Sequence, residues 1–251
     1  KNFNMSLSKE QYDLAVAKWT ENISNFEFIQ THINPSYAFE LSNEQVQNFL
    51  GNKQGCNSFC VEIGIHDDSL VMILCTLDSS GNKVEQDFYE YSTLSALNEE
   101  IILEEIQNHT IIKKTILSKN LEKVETSSNV ISTVSNNPVL EQDKAVEIIE
   151  SWKNEALDWF YRECSEFEGA RIFQRFYVSY DDLSFEGLEI NKINCVFGLK
   201  PSAVYQMSLP TLVFIGSINN ENIDISINSS IISNVVDWAK PCPPICRLPG
   251  F

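Results

Sequence analysis

The chain has 251 residues, of which 43% are hydrophobic and 21% charged, the composition of an ordinary globular protein with enough length for one large or two small buried cores. Its formal charge of −17, from 35 acidic against 18 basic residues, repels phosphate backbones and anionic bilayers and argues against general nucleic-acid or membrane-surface binding. No apolar run approaches the ~20 residues of a membrane helix, and the opening KNFNMSLSKEQ has no apolar signal-peptide core, although it also lacks an initiator Met at position 1.

Ser8 opens a first predicted helix. Gln11 stands three residues on, the spacing of a capping box, and Leu7 can staple against Tyr12. Leu14, Ala15, Ala17, Trp19, Ile23 and Phe26 carry an apolar face to about residue 28. Asn34-Pro35-Ser36 ends it, because the residue before proline is pushed out of the α region. After a short extended piece at 37–39, Ser42 and Gln45 repeat the capping box, and Gly51 supplies a helix stop.

Residues 59–84 predict strands. Phe59, Val61, Ile63 and Ile65 alternate with Cys60, Glu62, Gly64 and His66, the period of a half-buried strand. His66-Asp67-Asp68-Ser69 suits a turn, 70–77 is a nearly continuous apolar strand, and Asp78-Ser79-Ser80-Gly81-Asn82 is a second turn into a strand at 83–91. Connections this short predict antiparallel pairing. A helix is expected at 94–108, with Leu97, Ile101, Ile102 and Ile106 packed and Glu99, Glu100, Glu104 and Glu105 solvated. Residues 109–125 fit helix by spacing and strand by their β-branched content. The polar run TSSNVISTVSNNP marks a linker at 126–140.

A long helix follows at about 141–165, with Val146, Ile149, Trp152, Ala156, Leu157, Trp159 and Phe160 on its apolar side. An element at 172–177 and a weaker helix at 180–189 lead to a second strand unit at 195–227: a strand, a connection at 200–209, an apolar strand at 211–218, a turn at 219–222 and an alternating strand at 223–227. A short helix at 231–239 precedes the tail Pro241-Cys242-Pro243-Pro244-Ile245-Cys246. Helix, extended piece, helix, strand, strand, turn and strand thus recur in one order. The expectation is an α+β protein of two related halves, 1–125 and 141–251, each with helices on a small antiparallel sheet.

The pieces 212–216, 219–224 and 241–246 together resemble a group of small uncharacterised bacterial proteins with a strand-pair unit and a Pro-Cys-Pro-Pro-x-Cys C-terminal tail. Gln54-Gly55-Cys56 and residues 79–83 extend the likeness into the first half, which lacks the cysteine–proline ending. The resemblance implies a cytoplasmic accessory or interaction protein and carries over no catalytic residue.

Seven cysteines, an odd number, do not make a disulfide framework, so the compartment is read as reducing and cytoplasmic. Cys56 and Cys60 share their spacing with Cys242 and Cys246. Four thiolates could hold zinc, or the pairs could be redox-active, but ordinary thiols are the simpler reading. Glu62, His66, Asp67 and Asp68 could form a carboxylate–imidazole site, against which stands the exposure expected of a hairpin tip. No phosphate-binding loop, nucleophile elbow or HExxH motif is present. Core packing is the default for the dense aromatics of 152–180, but Trp159, Tyr161, Arg162, Arg171, Arg175 and Tyr177 combine arginine with aromatics in an acidic chain, which is interface-like, and form the candidate contact surface. The leading expectation is a non-catalytic module that binds a protein partner or self-assembles. The alternatives are an enzyme with its site between the halves and a thiol- or zinc-dependent module.

Overall fold

The computed structural model describes residues 6–107, 111–130, 142–183, 185, 190–218, 232–236 and 239–246. In chain order the elements are β1 (Ser6–Ser8), α1 (Lys9–Asn22), α2 (Phe26–His32), β2 (Phe39–Ser42), α3 (Asn43–Gly51), β3 (Ser58–His66), β4 (Ser69–Cys75), β5 (Phe88–Thr93), β6 (Ile101–Gln107), β7 (Ile111–Leu117) and β8 (Lys123–Val130). They continue with α4 (Gln142–Phe167), β9 (Arg175–Ser179), β10 (Ile190–Ser202), β11 (Met207–Ile218), β12 (Ile232–Ser233), β13 (Val235–Val236) and β14 (Lys240–Cys242). The fold is α+β, and every strand pair described is antiparallel. Among the described residues no helix is long and apolar enough to cross a membrane.

Local signals set the helix starts. Ser8 and Ser42 each accept from the backbone N–H three residues on, and Gln11 and Gln45 return the bond, closing both capping boxes. The first apolar face does not run unbroken to residue 28. Asn25 accepts from Phe28 N and starts α2 as a separate helix. The β3–β4 hairpin turns on Asp67 and Asp68, both left-handed at φ 46° and 56°, a conformation aspartate tolerates.

The strand orders are β1-β5-β4-β3-β9-β14, β13-β11-β10-β2 and β12-β6-β7-β8. β9 leaves the second half to pair with β3, and β2 leaves the first half to pair with β10. β12 likewise joins β6, so all three sheets draw strands from both sides of residues 131–140, and the halves do not own separate sheets. The six-stranded sheet turns Phe59, Val61, Ile63, Phe176 and Val178 inward, against Phe197, Leu199 and Phe214 of the second sheet and Trp152 and Phe160 of α4. The far side of the second sheet meets Ile101, Leu103 and Leu117 of the third, with the first turns of α4 between. α1 covers the outer face of the six-stranded sheet through Tyr12 and Ala15.

Several expectations are corrected. The helix expected at 94–108 is strand β6 from Ile101 onward. Its apolar positions fit both periods, and pairing with β7 decides for the β-branched residues. Residues 109–125 contribute strands β7 and β8, joined by a turn in which Ser118 Oγ accepts from Asn120 N and Glu122 N. Residues 126–130 of the expected linker belong to β8, and 131–140 lie outside the described residues. The expected helix at 180–189 is a 3₁₀ turn, Tyr180–Leu183, with most of the rest outside the description. The expected helix at 231–239 contains the short strands β12 and β13, with 231, 237 and 238 outside it. The connection at 200–209 is tighter than expected, since β10 runs to Ser202 and β11 begins at Met207. The turn at 219–222 and strand at 223–227 lie outside the described residues.

Candidate functional site

The strand register decides which side chains meet. Glu62 stands opposite Arg175, which stands opposite Cys242; Cys60 stands opposite Tyr177, which stands opposite Lys240. Alternation then places Glu62, Cys60, Arg175, Tyr177, Lys240 and Cys242 on one face of the sheet, the outer one. The intervening Phe59, Val61, Phe176 and Val178 fill the main core.

Glu62 is the centre of this face. Its side chain is 1% exposed. Tyr12 donates to Oε2 at 2.6 Å, while Lys83 Nζ and Arg175 Nη2 both reach Oε1, at 2.7 and 3.1 Å. Lys83 also donates to the Tyr12 hydroxyl at 2.7 Å and lies over its ring. Tyr12 stacks on Tyr89 at 4.1 Å, which fixes the phenol. Burial, with the neighbouring Cys75 and Glu62, pushes the Tyr12 phenol well above its ordinary value. Burial is the largest influence on Arg175 and opposes its charge, but Glu62, Cys60 and the hydrogen bond to Tyr177 together outweigh it, so its value is raised. The cations are about one-third exposed, 35% for Lys83 and 29% for Arg175. A buried carboxylate with every oxygen bonded thus supports two cations that reach solvent.

Gly64 separates this cluster from the hairpin tip. A Cβ there would lie 3.0 Å from the Ala15 backbone, so α1 sits directly on the strand. Beyond it His66 Nε2 is 3.4 Å from Asp67, and Asp68 pairs with Lys18 at 2.8 Å. Glu62 does not join His66, Asp67 and Asp68 in one site.

The six residues expected to form one contact surface lie in two places. Arg175 and Tyr177 belong to the outer face just described. Trp159 is core, 4% exposed, with Nε1 donating to Ser208 O at 3.1 Å. Tyr161 is 60% exposed on α4 and meets Phe26 edge-on at 5.4 Å. Arg162 lies 3.6 Å from Glu163. Arg171 forks onto fully buried Glu163 with two bonds of 2.8 Å and covers the Phe167 ring, a clamp on the end of α4.

The cysteines do not gather as four thiolates. Cys242 and Cys246 are joined in a disulfide, and Cys56 and Cys60 are buried free thiols. Burial, reinforced by Glu62, raises the Cys60 thiol, and burial likewise raises its cross-strand neighbour Cys75, which makes both poor nucleophiles and poor ligands. Among the described residues no three His, Cys, Asp or Glu side chains converge as a metal site.

Tyr12 and Lys83 were not singled out by sequence reasoning. They reach Glu62 across 50 and 21 residues, and no local spacing connects them. Comparison with known proteins gives no match: no family model, no curated protein and no solved structure is similar to this chain.

Proposed function

We propose that the protein is a non-catalytic binding module that holds a protein partner, or a second copy of itself, on the outer face of the six-stranded sheet at its β9–β14 edge. One observation carries this reading. In a chain of charge −17, Lys83, Arg175 and Lys240 gather with Tyr177 on one partly exposed face, Arg175, Tyr177 and Lys240 by strand register and Lys83 through its bond to Glu62. Arginine and tyrosine on a rigid strand are favoured contact residues, since little entropy is lost in fixing them.

The enzyme alternative places its site where the halves meet, and the β3–β9 junction is such a place. The Glu62 cluster there offers no free base: both carboxylate oxygens are bonded and burial keeps the Tyr12 proton in place. Binding is the reading that uses what this face exposes. The Cys242–Cys246 disulfide favours an oxidising setting over the cytoplasm expected from the cysteine count.

The test is a photo-crosslinking residue placed at Tyr177 in the native host, with Val124, 57% exposed on β8, as the control position. A discrete protein adduct, or a covalent dimer, from position 177 and none from 124 is expected. Equal yields at both positions, or none at 177, would sink the assignment.

A further inference from the structure

We propose that Lys83 and Arg175 form a docking site for the carboxylates of an acidic extended peptide, held ready by buried Glu62. The proposal rests on the reading of this face as a binding surface and adds the chemistry of what it binds.

The charge balance is the starting point. Glu62 brings one negative charge and the two cations bring two positive ones, while burial keeps Tyr12 neutral. One cation and the phenol would satisfy the carboxylate; the second leaves a surplus charge. Lys83 and Arg175 bond the same oxygen, Oε1, so their nitrogens are close enough for one oxyanion to touch both. Each has donors to spare. The ammonium has three and uses two, on Glu62 and Tyr12; the guanidinium has five, and its described partners are Glu62 and Tyr177.

Preorganisation follows from the same contacts. Long cationic side chains ordinarily lose rotamer entropy on binding. Here Glu62 has already fixed them, so an incoming anion loses less to ordering. The edge strand adds a constraint. Pro241, at the middle of β14, has no N–H, so a partner strand cannot extend the sheet there by a full ladder. Recognition then falls to side chains. A run of phosphates would extend from this small basic spot onto an acidic protein, whereas one or two carboxylates fit within a Debye length of about 8 Å at physiological salt. A peptide segment that brings one or two carboxylates is therefore the occupant, and not a nucleic acid with a charge at every residue.

The experiment is fluorescence anisotropy of a labelled diglutamate peptide, Gln-Gln-Glu-Glu-Gln-Gln, on the intact protein at low ionic strength, with hexaglutamine and a single-stranded RNA hexamer as competitors. The diglutamate peptide should bind, hexaglutamine and RNA should not displace it, and salt should weaken it. Arg175→Gln should lower the affinity about tenfold, and Glu62→Gln, which keeps the shape and removes the buried charge, should raise it several-fold. Circular dichroism establishes that each variant is folded, and Glu62→Gln keeps the question open if Arg175→Gln is not. A merely structural Glu62 predicts no gain. Absence of diglutamate-peptide binding, affinity indifferent to both substitutions, or preferential displacement by RNA overturns the proposal. An adduct at position 177 without any binding of the diglutamate peptide would remove this docking site and leave the binding module standing.

Discussion

Two buried glutamates answered by arginine organise opposite parts of this molecule, and they are built differently. Glu163 is clamped by Arg171, eight residues on in the same chain segment. Glu62 is clamped by Tyr12 of α1, Lys83 ahead of β5 and Arg175 of β9, three separate parts of the chain. The first is a local fastening that closes the end of α4. The second is a junction whose removal loosens three elements together. Burial of the carboxylate is almost the same in both, 0% and 1% exposed. What differs is how much structure depends on it, and how much charge is left over.

The largest test of that contrast compares Glu62→Ala with Glu163→Ala by denaturant unfolding. Loss of Glu62 strands two cations and a buried hydroxyl. It is expected to cost about 3–4 kcal/mol, because breaking a buried pair on one side is expensive even when the cations are partly hydrated. Loss of Glu163 should cost about 1–2 kcal/mol, since Arg171 can turn to solvent and remain over Phe167. Equal costs would mean that the junction is no more than a second fastening.

Each region also has a glycine that cannot be replaced freely. At Gly169, with φ +74°, a Cβ would lie 2.6 Å from Ile23 O. Gly169→Ala is expected to cost about 2–3 kcal/mol, from left-handed strain plus a collision with rigid backbone. Gly64→Ala, whose Cβ would meet Ala15 at 3.0 Å, should cost about 1–2 kcal/mol as α1 lifts slightly. Thermal melts of the two variants rank them, and the reverse order would show α1 to be the less yielding contact.

The smallest effect is alkaline. Burial raises the Tyr12 phenol above its ordinary value of 10.0, so the folded chain keeps a proton that the unfolded chain releases. Stability from this group is unchanged below pH 10 and falls as the pH rises beyond it. Between pH 10 and 11 the loss is about 1 kcal/mol. Tyr12→Phe should start less stable, with a buried oxygen left bare, and show a flatter decline over that interval. An unchanged slope would assign the alkaline loss elsewhere.

The parts of this fold that are legible in the sequence are those set by neighbours a few residues apart. The capping boxes at Ser8 and Ser42, the Asp67-Asp68 turn and the alternation in β3 all act within one turn or one hairpin. In the third sheet β6 reads as helix, and 109–125 stays open between helix and strand, because the apolar spacing satisfies two periods. Only the register, which sets Glu104 opposite Lys114 and Glu105 opposite Lys113, shows that these residues lie across a strand pair. The site divides the same way. Arg175 and Tyr177 stand out by composition, but their partner Glu62 is joined to them by β3–β9 pairing, which no window of sequence contains.

The reciprocal pairing of β2 with β10 and of β9 with β3 bears on how the chain is made. Synthesis delivers β3, which ends at His66, more than a hundred residues before β9, which begins at Arg175. During that interval the β3 edge, with Phe59, Val61 and Ile63 along it, has no permanent neighbour on the ribosome. An unpaired apolar strand of this kind is a template for the wrong partner. The closing contacts are also among the most distant in the chain, which slows their formation. A chaperone that shields nascent strands would have a specific task here, and newly made protein should be far more prone to aggregate than the finished fold.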